Sequence, residues 1–252
     1  VPGIAIFDDA LFQRVGATEA RQELFVPAAA SAAGANNTQW STTAWFANRV
    51  GFPVTLQASL LRPGQDNSNA LTSLSVIGTV PANGFLEVED VVAQVGGSEE
   101  AGGLFIVATA QAAGLPATLV NVTTTTFTPN PAGAGVYGQG LPAVTAGEKH
   151  EVILPGVFQN ADRRTNVGIL NTSGDSMEVR LTLNGGDGQV LGSTTWALQP
   201  YEQRQKSVST LGGGGANGGF VTVTRISSDG SFRAYLSVVD QHSGDAVYTE
   251  GR

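Results

Sequence analysis

Val54-Thr55-Leu56-Gln57-Ala58-Ser59-Leu60 alternates without a break. Val54, Leu56, Ala58 and Leu60 fall on one side, and Thr55, Gln57 and Ser59 on the other. A period of two marks a strand with one buried face. The pattern returns at Met177-Glu178-Val179-Arg180-Leu181-Thr182-Leu183, where Met177, Val179, Leu181 and Leu183 oppose Glu178, Arg180 and Thr182.

The surroundings of the two strands also match. Phe25-Val26-Pro27 precedes the first and Ile153-Leu154-Pro155 the second. Ala44-Trp45-Phe46-Ala47-Asn48 answers Val167-Gly168-Ile169-Leu170-Asn171, and Pro81 answers Pro200. Gly102-Gly103-Leu104-Phe105-Ile106-Val107 answers Gly218-Gly219-Phe220-Val221-Thr222-Val223, and Ala117-Thr118-Leu119 answers Ala234-Tyr235-Leu236. Landmarks in one order imply a duplication. The expected organisation is an N-terminal extension over 1–22, one domain over 23–128, a Gly/Pro-rich linker over 129–150 and a second domain over 151–252.

Turn signals recur about every ten residues, as at Arg62–Asn67, Pro81–Gly84, Asn171–Gly174 and Asn184–Gly188, and long helical periodicity is absent. Asp90–Val95 reads as one short helical turn. Leu104–Ala110 with Ala117–Phe127, and Phe220–Ile226 with Phe232–Asp240, read as closing hairpins. Short strands so spaced predict an all-β fold of two tandem antiparallel Ig-like β-sandwich domains with an N-terminal strand extension.

Composition excludes several function classes. The formal net charge is −8, from 13 Lys plus Arg against 21 Asp plus Glu, which disfavours nucleic acid and anionic membranes as partners. No apolar run reaches the length of a membrane span, so no membrane insertion is expected. There is no cysteine, hence no disulfide, thiolate metal site or cysteine nucleophile. Charged residues make up only 13% of the chain, about half the usual share. Such a surface suits an exported protein, or one that packs against copies of itself. No signal peptide precedes Val1, so the expectation is a processed, extracellular or cell-surface chain.

The apolar-Pro openings, the segment Arg164-Thr165-Asn166, the alternating strands at 54–60 and 177–183, Gly138-Gln139-Gly140-Leu141-Pro142 and Leu236-Ser237-Val238-Val239-Asp240 together carry a resemblance. They are similar to a family of exported proteins from environmental bacteria built on tandem Ig-like sandwich repeats. It covers about residues 24–250. It implies the fold and an exported location; the family has no established activity, so no functional residue is carried over.

Candidate catalytic groups are sparse. The two histidines, His150 and His242, lie in polar segments without a nucleophile motif. Neither offers a zinc ligand set. The acidic pairs Asp8-Asp9, Glu89-Asp90 and Glu99-Glu100 are sequence neighbours, which a strand points to opposite faces, so they do not form a glycosidase pair. Asp66-Asn67-Ser68-Asn69 and Asn184–Gly188 are turn chemistry and not calcium loops. Gly212–Gly219 is a repeat loop and not a phosphate cradle. No cofactor and no metal are expected. Trp45 reads as a core residue, Trp196 lies on an alternating strand that could turn it to either face with core packing favoured, and Trp40 is the candidate ligand contact.

Residues 1–22 stand outside the repeat. Gly3–Phe7 and Ala10–Val15 are β-prone, and either pair with an edge of their own domain or add a strand to a neighbour. The expected function is therefore a non-enzymatic extracellular structural protein. It would self-assemble into a filament or surface layer through an interface of Ile4, Ile6, Phe7, Leu11 and Phe12, with copies of itself as partners. The alternative is a secreted module that binds a glycan or a surface protein, using Trp40.

Overall fold

The computed structural model describes residues 19–34, 38–111, 116–130, 133–147, 150–212 and 215–251. Nearly everything regular in it is antiparallel strand. The first half carries β1 (Ala20–Ala33), β2 (Gln39–Asn48), β3 (Val54–Leu61), β4 (Ser75–Val80), β5 (Phe85–Val88), β6 (Glu100–Ala110), β7 (Val120–Pro129) and β8 (Val136–Pro142). The second half carries β9 (Glu151–Pro155), β10 (Arg163–Asn171), β11 (Met177–Gly185), β12 (Val190–Leu198), β13 (Gln203–Ser207), β14 (Gly219–Arg225), β15 (Phe232–Asp240) and β16 (Ala246–Glu250). The helical turn expected after Asp90 is α1 (Val91–Val95), capped by the Asp90 carboxylate, which accepts from Ala93 N–H at 3.3 Å.

The two halves share one topology. In the second, one sheet runs β13-β10-β15-β16 and the other β12-β11-β14-β9. In the first, β5-β2-β7-β8 and β4-β3-β6-β1 repeat those orders strand for strand. One device joins the sheets of the first half. Pro27 has no N–H for the ladder, so the β1–β6 register shifts between Val26 and Ala29. The strand then bends, and its far end pairs with β2 at Ala32–Trp40.

Matching the registers refines the alignment. The openings at Pro27 and Pro155, the alternating strands and the pair Asn48/Asn171 correspond as read. Each asparagine staples two turns: Asn48 Nδ2 donates to Phe52 O and Pro81 O, and Asn171 Nδ2 to Asp175 O and Gln199 O. Pro81 therefore answers Gln199, not Pro200. Gly102 answers Gly219, since a Cβ on either would strike the carbonyl oxygen of the neighbouring strand, Leu61 or Asn184. Leu236 answers Thr124, not Leu119, because both pair with the centre of the second strand, Val167 or Ala44.

Three further readings are corrected. The paired runs at 104–127 and 220–240 are not hairpins: β6 pairs with β1 and β3 while β7 pairs with β2 and β8, and β14 and β15 belong to different sheets. The stretch 129–150 is not all linker, because Val136–Pro142 pairs with β7 as an edge strand that tolerates its glycines. Ala20–Gln22 belong to β1 rather than to an extension, and the Gln22 carboxamide accepts from Leu119 and Val120 N–H.

Each half buries its own core. Leu24, Val26, Phe46, Leu56, Leu60 and Ile106 fill the first, and Leu154, Ile169, Val179, Leu181, Trp196 and Phe232 the second. Full burial of such a side chain contributes about 1.5–3 kcal/mol. A third cluster of Phe25, Leu61, Phe105, Val107 and Leu170 lies between the halves. There the outer face of the β1-containing sheet meets the outer face of the β10-containing sheet. Tyr201 stacks on Phe25 at 6.5 Å. Asn67 N–H donates to Pro200 O at 2.9 Å, and Gly64 N–H to the fully buried Glu202 carboxylate at 3.1 Å. Asp66-Asn67 is thus part of the junction rather than a metal loop.

Candidate functional site

The docked halves enclose a cleft of about 370 Å³ at one end of the junction. The bend in β1 supplies a floor of small residues, Ala28, Ala29 and Ala30, joined by Ala101 and Gly102. Trp40 stands on this wall. Its indole lies against Gly34, where a Cβ would collide with the ring, and it is half-buried. The opposite wall is the outer face of the β10 sheet: Arg164, Asn166, Gln203, Gln205 and Ser237.

Tyr235 organises that wall. It lies across Gly168, its cross-strand partner, so closely that a Cβ on Gly168 would fall within the ring. Passing over β10, its hydroxyl accepts from Gln203 Nε2 at 2.9 Å and donates to Gln205 Oε1 at 2.7 Å. Burial pushes this hydroxyl well above the usual tyrosine pKa, so it stays protonated. Across the cleft, Ser237 Oγ donates to Gln139 Oε1 at 3.0 Å. The carboxamides are therefore held in fixed orientations, with the nitrogens of Gln139 and Gln205 left without a partner among the described residues.

The Arg164 guanidinium also has no hydrogen bond or ion pair among the described residues. Among the described residues no Asp or Glu lines the cleft, although acidic residues outnumber basic ones in the chain. The site thus presents an indole face, a guanidinium and several amide donors to any occupant. Among the described residues it contains no nucleophile–base pair and no pair of carboxylates. Sequence reading found Trp40 but not its partners, since Gln203-Arg204-Gln205 reads as an ordinary polar strand.

The other expected residues lie elsewhere. Ile4, Ile6, Phe7, Leu11 and Phe12 are outside the described residues, as are Asp8-Asp9. Trp196 is buried in the second core, as read. Trp45 is not a core residue: it is half-buried on the outer face of its sheet, opposite Glu87. The alternation of β2 puts Ala44 and Phe46 inward, so Trp45 must point out. His150 is exposed, 3.3 Å from Arg225. His242 is exposed and bonded to Asp162 at 3.0 Å, which raises its pKa. Glu100 pairs with Arg62, while Glu99 accepts from Ala33 N–H. Among the described residues no group of His, Asp or Glu could hold a metal ion, and no helix is long and apolar enough to cross a membrane.

No family model matches the chain, and no curated protein sequence matches it. Solved structures offer distant likenesses. A glycosyl hydrolase family 2 member from Bacteroides cellulosilyticus has 11% identity and a TM-score of 0.21, over 91% of this chain and 26% of that one. A β-glucuronidase from Ruminococcus gnavus in complex with uronic isofagomine has 10% identity and a TM-score of 0.22, over 98% of this chain and 36% of that one. Bacteroides uniformis β-glucuronidase 2 has 10% identity and a TM-score of 0.19, over 84% and 26%. The chain spans about a quarter to a third of those proteins. Scores of this size carry no argument, and the all-β sandwich architecture rests on the strands described above.

Proposed function

We propose that the chain is a non-enzymatic extracellular or cell-surface binding module, and that the cleft between its two sandwiches takes a hydroxyl- or carboxylate-bearing carbohydrate. One observation carries the reading. Tyr235, spread over Gly168, fixes the Gln203 and Gln205 carboxamides beside Arg164, opposite the Trp40 indole. Sugars present a ring face that stacks on an aromatic and a rim of hydroxyls that bonds to amides. Donors locked in advance lose little entropy on binding.

The test is a glycan screen with the full chain and with Trp40→Ala and Asn166→Ala. Binding to a defined glycan set, weakened about tenfold or more in both variants, supports the reading. Absence of glycan binding, or binding indifferent to both substitutions, refutes it.

Self-assembly remains the second reading, and one observation favours it. The large apolar residues exposed within strands, Val76, Phe85, Val136, Ile153, Val190, Leu191 and Val247, all lie on the edge strands β4, β5, β8, β9, β12 and β16. Edges of that kind invite strand addition. Deleting residues 1–18 leaves β1 whole. Large assemblies of the full chain that become monomers on this deletion would support assembly through the N-terminal segment, and a monomeric full chain would exclude it.

A further inference from the structure

The sheet face that forms one wall of the cleft exists twice in this molecule. Through the strand registers, Arg164, Asn166, Gly168, Gln205, Tyr235 and Val239 correspond to Ser41, Thr43, Trp45, Glu87, Thr123 and Phe127. In the second half the face is roofed by the first half. In the first half nothing in the chain covers it among the described residues, and it forms an open groove of about 500 Å³.

The chemistry of the two faces has diverged in sign. Among the described residues the groove has no basic residue, where its counterpart has Arg164. Glu87 stands where the cleft has Gln205, and Glu89 adjoins it. Neither side-chain carboxylate has a hydrogen bond or ion pair among the described residues, and both are exposed. The large aromatic has also changed sides. The pair Gly168–Tyr235 becomes Trp45–Thr123, so the indole is presented outward rather than pinned beneath a neighbour. Between Trp45 and Phe127 lies Thr43, only 3% exposed and lining the groove, whose hydroxyl has no protein partner among the described residues.

We infer that this groove is a second binding site, and that it takes an amine-bearing oligosaccharide whose charge is opposite to that of the groove. Trp45 offers a π face to a sugar ring and to a nearby ammonium group. The unpaired Glu87 and Glu89 carboxylates supply the counter-charge, and the hydroxyls of Ser41 and Thr43 meet the sugar rim. Trp45 and Phe127 are four residues apart in register along the strand direction, about 13 Å, a span that fits several sugar rings and not one. The site uses none of the groups that line the interdomain cleft, so it stands or falls separately.

The test is calorimetric titration of the full chain with a glucosamine hexamer, at about pH 6 so that the amines are protonated, and with its N-acetylated counterpart. The expected result is binding of the glucosamine oligomer alone. It should weaken about tenfold or more from about 50 to about 500 mM salt, and be lost in Trp45→Ala and in Glu87→Gln/Glu89→Gln. Trp40→Ala should bind it as the parent does. The glutamine pair changes only exposed side chains, so it keeps the test valid if the tryptophan variant folds poorly. Equal binding of the N-acetylated oligomer, binding insensitive to the glutamine pair, or no binding at all would overturn the proposal.

Discussion

Tyr235 and Gly168 are the pair on which the cleft depends. A methyl group at 168 has no room beneath the phenol ring, so Gly168→Ala must push Tyr235 off Gln203 and Gln205. Overpacking of this kind costs about 2 kcal/mol. A urea-denaturation cycle with Tyr235→Thr checks the cause: with the ring gone, the glycine substitution should cost less than about 0.5 kcal/mol. A second residue of interest is Tyr201, which has φ +55, as Asn83 has φ +52 at the matching turn of the first half. Asparagine is at ease there and a bulky residue is not. The position is held because the ring stacks on Phe25 across the junction. Composition and period cannot reveal such pairs, because each residue alone is unremarkable. Trp40 was visible as a large aromatic outside the periodic core, whereas Gln139 and Ser237 become neighbours only when the halves dock.

At the level of strands and turns, alternation found β3 and β11 and the direction of their buried faces. It also gives the outward orientation of Trp45, because its neighbours Ala44 and Phe46 are both buried, so the expectation of a core tryptophan fails on register. Turn chemistry located the chain reversals without saying which sheet the next strand joins. That is why β6–β7 and β14–β15 read as hairpins. β8 was hidden by Gly138, Gly140 and Pro142, which an edge strand accepts and a central strand would not. The glycine runs carried more than they showed. Gly102 and Gly219 each allow a strand to approach the backbone of its neighbour, and a Cβ at either meets a carbonyl that cannot yield. Gly102→Ala and Gly219→Ala should therefore each lose about 3 kcal/mol in chemical denaturation. Gly51→Ala, which meets nothing within 4 Å, should stay within about 0.5 kcal/mol of the parent.

For the molecule as a whole, the duplication is legible in sequence and the docking is not. The first half's share of the junction cluster, Phe25, Phe105, Val107 and Leu61, reads as ordinary strand hydrophobics until it meets Leu170 of the second half. Matching positions on the free sheet of the second half are Ile153, Thr222, Thr224 and Asn184. That face is mostly polar, so the docking mode does not repeat indefinitely. The junction also sets a pH response. Tyr235 and Tyr248, stacked at 5.5 Å, have pKa values raised first by burial, and in Tyr248 also by Glu250. Their raised folded-state pKa means that the stability they confer is complete below the unfolded tyrosine value of about 10 and is lost as pH rises beyond it. Thermal melts from about pH 8 to about pH 11 should show that decline. Tyr248→Phe should flatten it without loss at neutral pH, because the Tyr248 hydroxyl is buried without a partner among the described residues.

Ligand bound where the two sandwiches meet must touch groups from both halves. The direct measurement is chemical-shift mapping of the labelled chain during titration with a glycan found in the screen. The Trp40 indole N–H and the side-chain amides of Gln139, Asn166 and Gln205 should shift together on one binding curve, drawing on both halves of the molecule. Shifts confined to one half, or absent from these groups while the glycan binds elsewhere, would contradict it.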